Sequence, residues 1–104
     1  MNKEEFFALF RLCFIGNSKI EEKQNELTIL DKELNQYIHV YFRHRWLFPN
    51  YCLVTAMLTS NKKRGLLSKL SKYFNIRITK YSFDFAGDIN HFWYINLEVT
   101  KLKV

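Results

Sequence analysis

Tyr37-Ile38-His39-Val40-Tyr41-Phe42-Arg43-His44-Arg45-Trp46 is the stretch on which the architecture depends. Ile38, Val40, Phe42, His44 and Trp46 alternate with Tyr37, His39, Tyr41, Arg43 and Arg45. A two-residue repeat in β-branched and aromatic types predicts a strand. Leu34, Ile38, Tyr41 and Phe42 also fit a helical stripe, which would carry a preceding helix on to residue 46, so both readings stand at this point.

Downstream, Leu47-Phe48-Pro49-Asn50 reads as a turn into a second strand, Tyr51 to Thr59, whose Cys52, Val54, Ala56 and Leu58 alternate with Leu53, Thr55 and Met57. Ser60 or Asn61 can then cap a helix with Leu66, Leu67, Leu70, Tyr73 and Phe74 along one side. Ile76 to Phe85 and His91 to Val99 read as two more strands, joined across Ala86-Gly87-Asp88-Ile89-Asn90.

Upstream, Asn2 and Glu5 have capping-box spacing, and Phe6, Leu9, Phe10, Cys13 and Phe14 recur with helical period until Gly16-Asn17, predicting a helix over 3–15. Ser18 with Glu21 repeats the capping spacing, and Ile20, Leu27, Leu30 and Leu34 form a narrow apolar stripe, predicting a second helix over about 19–34. The expectation is a single α+β domain over residues 1–104: two N-terminal helices, then hairpin-helix-hairpin (ββαββ) forming a mainly antiparallel sheet. A winged-helix arrangement is the alternative, with 50–59 helical, 64–74 as recognition helix and 76–99 as wing.

Charge is divided along the chain. Residues 1–36 carry five Lys or Arg against seven Asp or Glu, a net of −2; residues 37–104 carry eleven against three, a net of +8. The basic segment also holds Tyr37, Tyr41, Trp46, Tyr51, Tyr73, Tyr81, Trp93 and Tyr94, so positive charge and polar-edged rings occur together, as polyanion binding requires. Nucleic acid or an acidic protein surface is the partner this implies.

Other functional classes find little support. Cys13 and Cys52 stand 39 positions apart, with no second Cys or His at zinc-finger spacing, and no Gly-rich phosphate loop is formed by three scattered glycines. No catalytic residue, metal site or cofactor is implied. The acidic start Met1-Asn2-Lys3-Glu4-Glu5 is unlike a secretory n-region, and no apolar run reaches membrane-spanning length, so no membrane and a cytoplasmic location, with host nucleus or nucleoid open, are expected. Ala, Gly and Pro together number only seven while Lys, Asn, Phe and Tyr are abundant, a bias of AT-rich coding DNA that suggests a phage, mobile element, virus or low-GC bacterium.

Two groups of residues carry the binding expectation. Lys62, Lys63 and Arg64 fall at a helix start, where the dipole disfavours cations by about 0.3–1 kcal/mol each; a clasped phosphate would compensate, whereas a helix starting nearer Gly65 would remove the penalty. If the strands share one sheet, Tyr37, His39, Tyr41, Arg43, Arg45, Arg77, Tyr81, Phe92 and Tyr94 fall on one surface. Such a surface either stacks bases and contacts phosphates or is covered by the two leading helices. The expected nucleic-acid contacts are Arg43, Arg45, Lys62, Lys63, Arg64, Lys69, Lys72 and Arg77 on phosphates, with Tyr41, Tyr81 and Tyr94 stacking or positioning the strand.

The order helix, hairpin, helix, hairpin resembles the core of LAGLIDADG homing endonucleases, and Thr59-Ser60-Asn61-Lys62-Lys63 leading to Leu66-Leu67 and Ile76 is similar to their helix-entry pattern. That resemblance implies a saddle-shaped sheet in a DNA groove. Where the family's first helix ends in an acidic metal ligand this chain has Phe14-Ile15-Gly16-Asn17, which speaks against cleavage. The functional expectation is therefore a non-catalytic basic protein that binds DNA or RNA. The alternative is a small phage or mobile-element inhibitor that binds a host nucleic-acid-processing protein, motivated by the acidic, narrow-striped second helix.

Overall fold

In the computed structural model the backbone is described for residues 1–16, 18–34, 36–58, 60–86 and 90–102, and the side chains for all of these except 60–61, 81–86 and 90–93. The chain runs α1 (Lys3–Cys13), β1 (Ser18–Lys23), β2 (Glu26–Asp31), β3 (Gln36–Arg43), β4 (Tyr51–Leu58), α2 (Ser60–Ser71), β5 (Phe74–Ala86) and β6 (Asn90–Lys101). The six strands form one antiparallel sheet in the order β1-β2-β3-β4-β6-β5.

Residues 19–34 are therefore not a helix. They are two strands closed by Gln24-Asn25, with Ile20 opposite Ile29 and Glu22 opposite Leu27. Leu27, Ile29 and Asp31 alternate inward, and pairing of β2 with β3 covers an edge that a half-solvated helix would not have supplied. Two leading helices with a ββαββ sheet, the winged-helix alternative and the homing-endonuclease plan all give way to one leading helix and a six-stranded sheet. Residues 50–59, helical in the winged-helix arrangement, contain strand β4.

Helix α1 starts where local chemistry favours it. The Asn2 side chain accepts from Glu5 N–H at 2.8 Å and the Glu5 carboxylate accepts from Asn2 N–H at 3.2 Å, a reciprocal cap. Its buried face carries Phe6, Phe7 and Phe10. Phe10 meets Phe74 at 4.7 Å between ring centroids, and Phe6 lies 5.9 Å from Phe42 and 6.0 Å from Phe74. Each buried Phe contributes about 1.5–3 kcal/mol.

Leu66 and Leu70 of α2 join the same cluster as Leu27, Ile29, Ile38, Val40, Cys52, Val54, Leu97 and Val99. Both helices thus cover one face of the sheet. Because side chains alternate along a strand, the residues between these core positions point to the other, helix-free face.

A buried carboxylate ties α2 to the sheet. Asp31, buried at the end of β2, accepts from Lys69 Nζ at 2.8 Å and from Glu33 N–H at 3.0 Å. Lys69 also lies 3.1 Å from the Glu33 carboxylate. A β-bulge between Ile78 and Lys80 then shifts the outer half of β5: Arg77 is opposite Glu98 and Lys80 is opposite Asn96, with Thr79 as the extra residue.

Candidate nucleic-acid interface

On the helix-free face, β3 presents Tyr37, His39, Tyr41 and Arg43; β4 presents Tyr51, Leu53, Thr55 and Met57; and β6 presents Tyr94, Asn96 and Glu98. Cross-strand pairing sets His39 against Thr55, Tyr41 against Leu53 and Met57 against Tyr94. Tyr37 is 55% exposed and Tyr94 is 43% exposed, so these rings meet solvent rather than core. Together with Gln36, His39, Thr55, Ala56, Met57 and Asn96 they line a depression of about 320 Å³. A second, wider hollow of about 620 Å³ lies between Tyr41, Arg43, Glu26 and the turn Lys23-Gln24-Asn25.

Positive groups frame these rings. The Arg43 guanidinium lies 5.4 Å from the Tyr41 ring centroid, and that of Arg45 lies 3.9 Å from the Tyr51 ring, a close cation–π stack. Glu98 joins two of the arginines: its carboxylate oxygens lie 3.4 Å from Arg45 and 3.5 Å from Arg77. His39 Nδ1 is buried and has no hydrogen-bond partner among the described residues, with the Glu26 carboxylate 3.8 Å away. The bulge at Thr79 carries Lys80 into register with Asn96, adding a further exposed cation to this face.

The expected site divides in two. Arg43, Arg45, Arg77, Tyr41 and Tyr94 come together on the open face, whereas Lys62, Lys63, Arg64, Lys69 and Lys72 belong to α2 and its exit, in the opposite layer. Lys69 is committed to Asp31 and Glu33 and lies 5.5 Å from the Phe14 ring centroid. Helix α2 begins at Ser60, which places Lys62 and Lys63 in its first turn with Arg64 just beyond, and overturns the start near Gly65. The side chains of Tyr81 and Phe92 lie outside the described residues. The bulge pairs Tyr81 with Ile95, a core position, rather than giving it the parity of Arg77.

Neither thiol suits nucleophilic chemistry. Burial is the leading cause in both, pushing Cys13 up to about 11 and Cys52 up to about 12. Among the described residues no three His, Cys, Asp or Glu side chains converge on a metal position.

The connection from β3 to β4 contains residues whose role the sequence did not disclose. Trp46, Leu47 and Phe48, read as strand end and turn, stand exposed at its tip. Three large apolar side chains beside a proline are unusual in a solvated turn, and that is the signal in the sequence that marks them. Comparison with protein-family models, with curated proteins and with solved structures gives no match to this chain.

Proposed function

We propose that this chain binds single-stranded DNA or RNA, without catalysis, across the helix-free face of its sheet. The carrying observation is the exposure of Tyr37 and Tyr94 around one depression, on the face that also holds Arg43, Arg77 and Lys80. Rings laid open on a sheet stack on unpaired bases, each worth about 1–3 kcal/mol, while Arg and Lys follow the phosphates. A duplex hides its base faces and offers these rings nothing to stack on. The reading places the protein wherever single strands are exposed, in the cytoplasm or nucleoid.

Anisotropy titrations of labelled single-stranded DNA, single-stranded RNA and duplex at two salt concentrations test it. Single strands should bind most tightly, with log affinity falling by about 0.7 per phosphate contact for each log unit of salt. Tyr37→Ala and Tyr94→Ala should each weaken binding by about 1–3 kcal/mol, whereas Lys62→Ala with Arg64→Ala should change it little. Absence of binding to all three at low salt defeats the reading. The alternative, an inhibitor that occupies a nucleic-acid-processing protein, retains the charge argument but loses its second motive, because the acidic helix proves to be a pair of strands.

A further inference from the structure

The β3–β4 connection ends in Trp46, Leu47 and Phe48, which are 90%, 77% and 67% exposed. Its base is held. Arg45 N–H donates to Asn50 Oδ1 at 3.2 Å, Asn50 Nδ2 donates to the Met1 carbonyl at 3.0 Å, and the Arg45 side chain is clasped between Tyr51 and Glu98. The apolar tip is thus presented from an anchored stem.

Strand register gathers cations around this end of the sheet from both layers. Lys23 precedes the Gln24-Asn25 turn; Lys3 Nζ donates to the Gln24 carbonyl at 3.0 Å, and the Asn25 carbonyl accepts from Phe42 N–H, next to Arg43. Lys101 pairs with Phe74, two residues beyond Lys72. Lys3 and Lys72 come from the helix layer; Lys23, Arg43 and Arg45 come from the open face or its margin. Glu4, Glu5, Glu22, Glu26 and Glu98 are the acidic groups near them: Glu4 lies 4.0 Å from Lys3, Glu22 2.8 Å from Arg11, Glu26 3.8 Å from His39 and Glu98 3.4 Å from Arg45, while the Glu5 carboxylate accepts from Asn2 N–H.

We propose that this end of the molecule docks on an anionic lipid bilayer, with Trp46, Leu47 and Phe48 entering the headgroup boundary and the surrounding cations lying over acidic headgroups. Aromatic and aliphatic side chains beside basic ones are what that boundary accepts, and neither signal alone holds a protein firmly. Geometry favours the bilayer over nucleic acid here. A strand laid along the open face meets Arg43 and Arg45 but leaves Lys3 and Lys72 behind it, whereas a planar anionic surface set against the end of the sheet meets both sets. Among the described residues no helix is long and apolar enough to cross a membrane; the contact proposed is one of the surface, and it departs from the expectation of no membrane. The proposal rests on this end of the fold; it shares Arg43 and Arg45 with the reading of the sheet face, while Trp46, Leu47 and Phe48 belong to it alone.

Trp93→Phe leaves Trp46 as the single tryptophan of the chain. Its emission should shift to the blue with vesicles of phosphatidylcholine and phosphatidylserine, and the native chain should sediment with them. Raised salt should release it, and vesicles of phosphatidylcholine alone should bind at least about tenfold more weakly. The triple variant Trp46→Ser, Leu47→Ser and Phe48→Ser, altered only at exposed positions, should keep the native melting curve and lose mixed-vesicle binding by at least about tenfold. Failure of the native chain to sediment with mixed vesicles overturns the proposal, as does equal binding by the triple variant. Loss of single-strand binding in the triple variant, with no vesicle binding by the native chain, assigns the tip to nucleic acid instead.

Discussion

Lys69 Nζ lies 2.8 Å from Asp31 Oδ2, and through that contact α2 is fastened to the end of β2. Asp31 is only 1% exposed, so its charge has little water to compensate it. Lys69→Met should destabilise the fold by about 3 kcal/mol, read from urea unfolding, because it leaves a buried carboxylate without its cation. Asp31→Leu combined with Lys69→Met should recover most of that loss, since two apolar side chains replace the pair.

The same lysine sets a pH dependence. Burial alone would lower its affinity for a proton, but hydrogen bonds to Asp31 and Glu33 and their charges outweigh that and raise it above the ordinary value of 10.5. The folded state therefore holds a proton that the unfolded chain releases first. The contribution is fully present below 10.5 and is lost as pH rises through the higher folded value. The stability difference between native and Lys69→Met should be flat near neutrality and shrink in the alkaline range.

Two glycines should respond in opposite directions. Gly16 follows α1 with φ of 102°, and a Cβ there meets no neighbour among the described residues, so Gly16→Ala should cost about 1 kcal/mol from backbone conformation alone. Gly65 lies within α2, where a Cβ would touch Leu34 Cδ2 at an ordinary 3.5 Å. Gly65→Ala should stabilise by about 0.5–1 kcal/mol. Thermal melting of the two variants checks both signs.

Cys13 and Cys52 should resist alkylation in the native protein. With thiols pushed up to about 11 and about 12, mainly by burial, the reactive thiolate is scarce near neutral pH. Iodoacetamide should modify Cys13, which is half-buried, before Cys52, and both far more slowly than in denaturant. As pH rises past the ordinary thiol value of 9.0, the unfolded chain loses these protons first and the fold is destabilised. Cys52→Ala should flatten that alkaline decline.

Glu98 restrains the open face by sitting between Arg45 and Arg77 at 3.4 and 3.5 Å. Glu98→Gln removes the negative charge while keeping the shape. Single-strand binding should tighten severalfold at low salt, and the salt slope should steepen by about 0.7 for each arginine released to a phosphate. An unchanged slope would mean that these arginines do not meet the phosphates.

How far the sequence disclosed this molecule depends on which residues are considered. Tyr37 to Arg43 and Tyr51 to Leu58 alternate cleanly because one side of each strand is core and the other is solvent, so the period of two is visible. Ser18 to Leu34 misled because Ile20, Leu27, Leu30 and Leu34 happen to fit a helical stripe, while the position that marks β2, Asp31, is a buried carboxylate satisfied by a lysine 38 residues away. No local pattern reveals that partner. The turn carried no glycine either: Gln24 itself takes φ of 45°. For the site, Tyr37, Tyr41, Tyr94, Arg43 and Arg77 were legible from alternation, whereas the bulge at Thr79 changed the parity of Tyr81, and the separation of α2 from the open face followed only from the packing of Leu66 and Leu70.

Strand β6 lies between β4 and β5, although it is synthesised after both. On a ribosome, the gap between β4 and β5 stays unfilled until Asn90–Lys101 emerge, and Phe6 and Phe10 wait beside an incomplete wall. Such long-range closure slows folding and leaves sticky backbone uncovered in the nascent chain. Translation arrest before Asn90 should therefore yield a product that chaperones retain or proteases clear, rather than a smaller folded version of the same protein.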